Sequence, residues 1–110
     1  MAKNVQSREH FAHFHVAGFS YYEGVMAFEK LKIGEKVSLK AEPQNTYDKN
    51  AVEIYHGDHK LGYIPRGVNR EISKLLSMGH DCFEARVQWV DGETHPENQV
   101  GVIVYVLGKA

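Results

Sequence analysis

Lys36-Val-Ser-Leu-Lys-Ala-Glu-Pro-Gln-Asn-Thr-Tyr-Asp-Lys-Asn-Ala-Val-Glu-Ile-Tyr-His-Gly-Asp-His-Lys-Leu-Gly-Tyr-Ile-Pro-Arg66 is the segment from which the architecture can be built. Val37, Leu39 and Ala41 alternate with Lys36, Ser38, Lys40 and Glu42, the period of a strand with one buried face. Pro43 has no N–H to give to a ladder and ends that strand. Pro43 to Asn50 is dense in side chains that hydrogen-bond to nearby backbone, which predicts an ordered loop. Ala51–Tyr55 and Lys60–Ile64 then read as two strands joined by the tight reversal His56-Gly-Asp-His59, a hairpin.

Working outward, Phe11–Phe19 alternates as a strand, and the polar residues 1–9 ahead of it read as a loosely held tail to a single domain over 10–110. Tyr21–Lys30 has the spacing of a short helix or irregular turn. Val68, Ile72, Leu75 and Leu76 recur at helical spacing after Pro65, with Gly79 as the stop. Cys82–Val90 and Gln99–Leu107 are β-rich and flank a polar loop with Gly and Pro, so they pair as a closing hairpin. The predicted fold is mainly β with two short helices: a small antiparallel barrel of the OB or SH3-like kind, capped by a helix. Most neighbouring strands are joined by links too short for a crossover, which argues against a strictly alternating parallel sheet.

The chain has 110 residues, 43% hydrophobic and 25% charged, enough for one core and far from the composition of disorder. Thirteen Lys and Arg oppose fourteen Asp and Glu for a net charge of −1, with no basic run. That argues against a salt-driven coat over duplex DNA and for a local pocket or groove. Cys82 is the only cysteine, no secretory h-region opens the chain and no long apolar run spans a membrane, so a cytoplasmic setting is expected.

His10, His13 and His15 crowd one strand, and His13 and His15 would share a face, but no third ligand stands near and Cys82 lacks a Cys-x-x-Cys partner; exposed or partly buried strand histidines are the simpler reading, and no metal or cofactor is expected. Cys82 next to Phe83 reads as a small core residue and not as a nucleophile. Gly57, Gly62 and Gly67 match neither a Walker pattern nor GxGxxG. No enzyme activity is expected of the chain itself.

Three blocks, Ala17-Gly-Phe-Ser-Tyr-Tyr-Glu-Gly24, Glu42-Pro-Gln-Asn-Thr-Tyr-Asp-Lys-Asn-Ala-Val-Glu-Ile54 and Leu61-Gly-Tyr-Ile-Pro-Arg66, resemble in order and spacing the HIRAN domain, a module found alone in bacteria and fused to helicase-like remodellers in eukaryotes. The likeness runs from about Phe14 to about Leu76. It implies a barrel of the oligonucleotide-binding type and, as in the fused members, a pocket for the 3′ end of single-stranded DNA, in DNA repair beside a helicase or nuclease. Carried over by residue, Tyr21, Tyr22 and Tyr47 would stack on bases, and Gln44 and Asn45 would offer amides to a base edge or backbone. Asp48 would accept a hydrogen bond from a terminal 3′ hydroxyl while repelling a phosphate there. Arg66, with Lys60 and Lys49 behind it, would meet phosphates.

Ser20 stands where DNA-binding remodeller versions have a basic residue, Gln44 where they have Asn, and Thr46 where they have Pro. The rival expectation, favoured by Ser20 and the acidic balance, is a scaffold whose aromatic groove takes a protein or peptide; a metal-dependent, hydrolase-associated domain ranks third. Residue by residue there are structural readings too: Tyr47 and one of Tyr21 or Tyr22 as core aromatics, Asp48 with Asn50 as a loop-stabilising Asx pair, and Arg66 as a solvated side chain.

Overall fold

A computed structural model describes residues 7–19, 28–95 and 98–109. Among these residues the strands are β1 (Arg8–His15), β2 (Lys36–Ala41), β3 (Val52–His56), β4 (His59–Tyr63), β5 (Phe83–Val90) and β6 (Val100–Leu107), and the helix is α1 (Arg70–Ser77). Short 3₁₀ turns occupy Phe28–Lys30 and Arg66–Val68. Of Tyr21–Lys30, read from sequence as a short helix or irregular turn, Phe28–Lys30 is described and forms a 3₁₀ turn, while the rest, Tyr21 and Tyr22 included, lies outside the described residues. The strands form an antiparallel sheet in the order β1-β6-β5-β2-β3-β4.

Each element follows from its side chains. The alternation of β2 buries Val37 against the core and leaves Lys36 and Ser38 outside. β6 lies between β1 and β5 and directs Val100, Val102 and Val104 inward. The β3–β4 turn has Gly57 at φ +59°, and Asp58 after it has no positive φ, the sign pattern of a type II′ hairpin. In α1, Ile72 is buried while Arg70, Glu71 and Lys74 face out. Gly79 at φ +87° ends the helix, donating to the Leu76 carbonyl while His80 donates to that of Leu75, a Schellman closure.

β1 begins at Arg8, inside the stretch read as a tail, because Arg8 and Glu9 pair with Leu107 and Val106. Polar residues on an edge strand carry no burial pattern, so nothing in their sequence announces the pairing.

In a flat sheet β1 and β4 would be about five strand spacings, roughly 24 Å, apart. They meet instead: Ala17, just past β1, exchanges two backbone hydrogen bonds of 2.8 and 2.9 Å with Tyr63. The sheet therefore curls round its core of Val16, Phe19, Ile54, Leu61, Ile64, Ile72 and Val87. Among the described residues this bridge is the contact that joins the two edges, so the curl is an incompletely closed barrel. Gly62 permits the approach, since a Cβ there would stand 2.3 Å from the Ala17 carbonyl oxygen.

Candidate functional site

The loop between β2 and β3 is built by its own side chains. Asn45 Oδ1 accepts the backbone N–H groups of Tyr47 (2.8 Å) and Asp48 (3.0 Å), and its Nδ2 donates to Glu42 Oε1 (3.0 Å). Asp48 Oδ1 accepts the Asn50 N–H at 2.9 Å, the Asx arrangement weighed from sequence. Asp48 Oδ2 accepts Nδ2 of Asn69 at 3.0 Å. Asn69 is buried to 2% exposure at the start of α1 and makes no side-chain cap to its own helix. Residues of cap-forming type usually bond their own first turn; this one ties the loop to the helix.

A second chain of bonds supports the loop from behind. Tyr63 donates its hydroxyl to Glu42 Oε1 (2.8 Å) and accepts from Lys60 Nζ (2.9 Å), which also pairs with the buried Glu53 at 3.1 Å. Burial opposes ionisation of Glu42, but the Asn45 amide, the Tyr63 hydroxyl and the Lys60 charge outweigh it and hold the carboxyl below its ordinary value. Burial likewise opposes the Lys60 charge, and Tyr63 and Glu53 reverse that to raise its pKa. Glu42 therefore stays ionised and Lys60 protonated at neutral pH.

Loop, β4 end and the Ala17 bridge enclose a hollow of ≈ 480 Å³ lined by Ala17, Gly18, Asn45, Tyr47, Asp48, Ala51, Tyr63, Ile64 and Arg66. At its mouth the Tyr47 residue is 87% exposed, which removes the core-aromatic reading. Arg66 donates to the Tyr47 carbonyl at 3.1 Å and stands 3.7 Å from Asp48 Oδ2, with its side chain still 73% exposed. Apolar floor, one open ring, one carboxylate and one guanidinium make a site for a small group that is flat on one side and both hydroxylated and anionic on the other.

Of the residues expected from sequence, Asn45, Tyr47, Asp48 and Arg66 converge here. Gln44 lines a shallower neighbouring hollow with Pro43 and Glu42, behind the Asn45–Tyr63 wall. Lys60 faces the Glu53–Tyr63 network and not the hollow, and Lys49 is exposed outside its lining. Tyr21 and Tyr22 fall outside the described residues. Tyr63 and Asn69 were not foreseen: Tyr63 is legible in Gly62-Tyr-Ile-Pro65 as part of a motif, but Asn69 reads as an ordinary cap. Among the described residues no group of three His, Cys, Asp or Glu side chains is placed to hold a metal.

A model of the HIRAN domain matches residues 10–106. Among curated proteins, the chain is 26% identical over 80 residues to a Fanconi-associated nuclease 1 homolog of Arabidopsis thaliana, covering 72% of this chain and 9% of that protein. It is 32% identical over 63 residues to the helicase-like transcription factor of Oryctolagus cuniculus, 56% of this chain and 6% of that one. The chain therefore spans less than a tenth of either relative. Among solved structures, a Lactobacillus plantarum protein superposes with TM-score 0.78 at 25% identity, over 96% of this chain and 100% of that one. The HIRAN domain of human HLTF shares the fold, with TM-score 0.68 at 23% identity over 89% and 75% of the two chains. With the family model matching nearly the whole length, the chain belongs to the HIRAN domain family.

Proposed function

We propose that this HIRAN domain is a non-catalytic module that binds single-stranded nucleic acid and takes the 3′ end of single-stranded DNA in the hollow beside Tyr47. The observation that carries this reading is the convergence of an open aromatic ring, a carboxylate and an exposed guanidinium on one hollow. Tyr47 supplies a stacking face that accepts any base. Each carboxylate oxygen has two acceptor positions; Asn50 and Asn69 each occupy one, on different oxygens of Asp48, so capacity for a terminal hydroxyl remains. Arg66 reaches the preceding phosphate. A 3′-phosphate would set a second anion against Asp48, so free ends are selected. Relatives named as a nuclease and a helicase-like factor support a role beside DNA-processing enzymes in repair.

Fluorescence anisotropy with one labelled single-stranded oligonucleotide, ending in a 3′-hydroxyl or a 3′-phosphate, tests the reading. The hydroxyl form is expected to bind about tenfold tighter, the scale of one charge-assisted hydrogen bond. Equal affinity would remove end selection; no binding of either at low salt, where phosphate contacts are strongest, would leave a protein or peptide as the ligand.

A further inference from the structure

Away from the hollow, the strand registers assemble a second surface. His10 pairs with Tyr105 and Tyr105 with Glu84; His13 pairs with Ile103 and Ile103 with Arg86; His15 pairs with Gly101 and Gly101 with Trp89. Arg86 is opposite Lys36 in turn. Directly opposed residues of an antiparallel sheet point to the same face. Val100, Val102, Val104, Ala85 and Val87 take the core face, so these rows form the outer one. A β-bulge at Phe11 keeps His10 on this face with His13, the two rings hydrogen-bonded at 2.8 Å.

A solvated sheet face is ordinarily polar and mixed in charge. Here Trp89 is 48% exposed beside a glycine, so no side chain of β6 covers it at that row. The face carries three cations, Arg8, Lys36 and Arg86, against one carboxylate, and that carboxylate, Glu84, is held between Arg8 and Arg86. Arg8 also lies over the Tyr105 ring at 4.0 Å. A cationic surface on a chain whose net charge is −1, set with indole, phenol and imidazole rings, has the chemistry of a track for unpaired nucleotides.

The track also leads to the hollow. Ala17 lines the hollow and bridges Tyr63, and alternation along the chain puts it on the same face as His15, which shares a row with Trp89. We infer that the outer face of β1, β6 and β5 is a second binding surface, which carries the body of a single DNA strand across Trp89. Its direction, with the 3′ end in the hollow, rests on the function proposed above; its affinity for the strand does not.

Trp89 is the chain's only tryptophan, so its emission reports this face directly. The whole chain would be titrated at low salt with a thymidine dinucleotide and with an oligothymidylate about ten nucleotides long, each with a 3′-hydroxyl or a 3′-phosphate, following anisotropy and indole emission together. The longer strand is expected to bind at least about fivefold tighter than the dinucleotide and to quench Trp89, and Trp89→Ala to weaken it by about fivefold to a hundredfold while leaving the dinucleotide unchanged. Lys36→Glu, on an exposed strand residue, is expected to weaken the longer strand too, which guards against a folding defect in the tryptophan variant. Unchanged emission on binding, or no advantage of length, overturns the inference. If the longer strand quenches Trp89 equally with either 3′ terminus, the face stands and end selection in the hollow falls. If neither strand binds, both fall.

Discussion

Tyr47 is exposed at the hollow while Asn69 is buried behind Asp48, so on the function proposed above their variants should separate binding from framework. Tyr47 is almost fully exposed, so Tyr47→Ala should leave stability within about 0.5 kcal/mol, as surface substitutions do. Its loss of a stacking face should weaken single-stranded DNA by about 1–3 kcal/mol in an anisotropy titration. Asn69→Ala removes the buried donor to Asp48 Oδ2. It should cost about 1–3 kcal/mol in urea unfolding and shrink the preference for a 3′-hydroxyl over a 3′-phosphate. The sequence made Tyr47 and Asp48 visible because the motif around them is dense and specific. It hid Asn69 because an asparagine ahead of a helix has a local explanation, a cap, which the structure does not use. Asn45 was visible through the same motif, and the structure adds a framework part to it: its amide bonds Glu42 and the loop backbone and so shapes the hollow's wall.

At the scale of elements, the β3–β4 hairpin, β2 and α1 were readable because each buries one face at a clear period or ends on a glycine with a defined turn. What period could not supply was everything set by a neighbour. The Arg8 start of β1, the bulge at Phe11 and the bridge from Ala17 to Tyr63 exist only through pairing with β6 or β4. Gly62 marks that bridge. Gly62→Ala would push a Cβ to 2.3 Å from the Ala17 carbonyl and forces an alanine to φ +151°. It should destabilise the fold by about 2 kcal/mol or more, seen as a lowered urea midpoint, and should loosen the hollow it adjoins. An unchanged midpoint would mean that the two edges are not held together there.

Over the whole molecule, a net charge near zero is deceptive, because the charges are sorted. Glu42 is held below its ordinary value by Asn45, Tyr63 and Lys60 against the effect of burial, and Glu84 foremost by the hydrogen bond from Arg86. A carboxyl depressed on folding binds fewer protons than in the unfolded chain, so stability rises with pH across that window. The melting temperature should therefore hold at neutral pH and fall as pH drops below about 4.3, the ordinary glutamate value, toward the lower folded ones. A Glu42→Gln and Glu84→Gln double variant should start lower and fall less steeply. Composition and spacing led to a mainly β fold with a local site, yet the curl that brings residues 17–18, 45–51 and 63–66 round one hollow is a property of the whole curled sheet and of no single segment. That convergence is most directly tested by amide chemical-shift mapping with a short 3′-hydroxyl oligonucleotide. The largest shifts are expected at Ala17, Gly18, Asn45 to Ala51 and Tyr63 to Arg66; shifts that bypass all three segments would contradict the hollow as the place where a strand end is held.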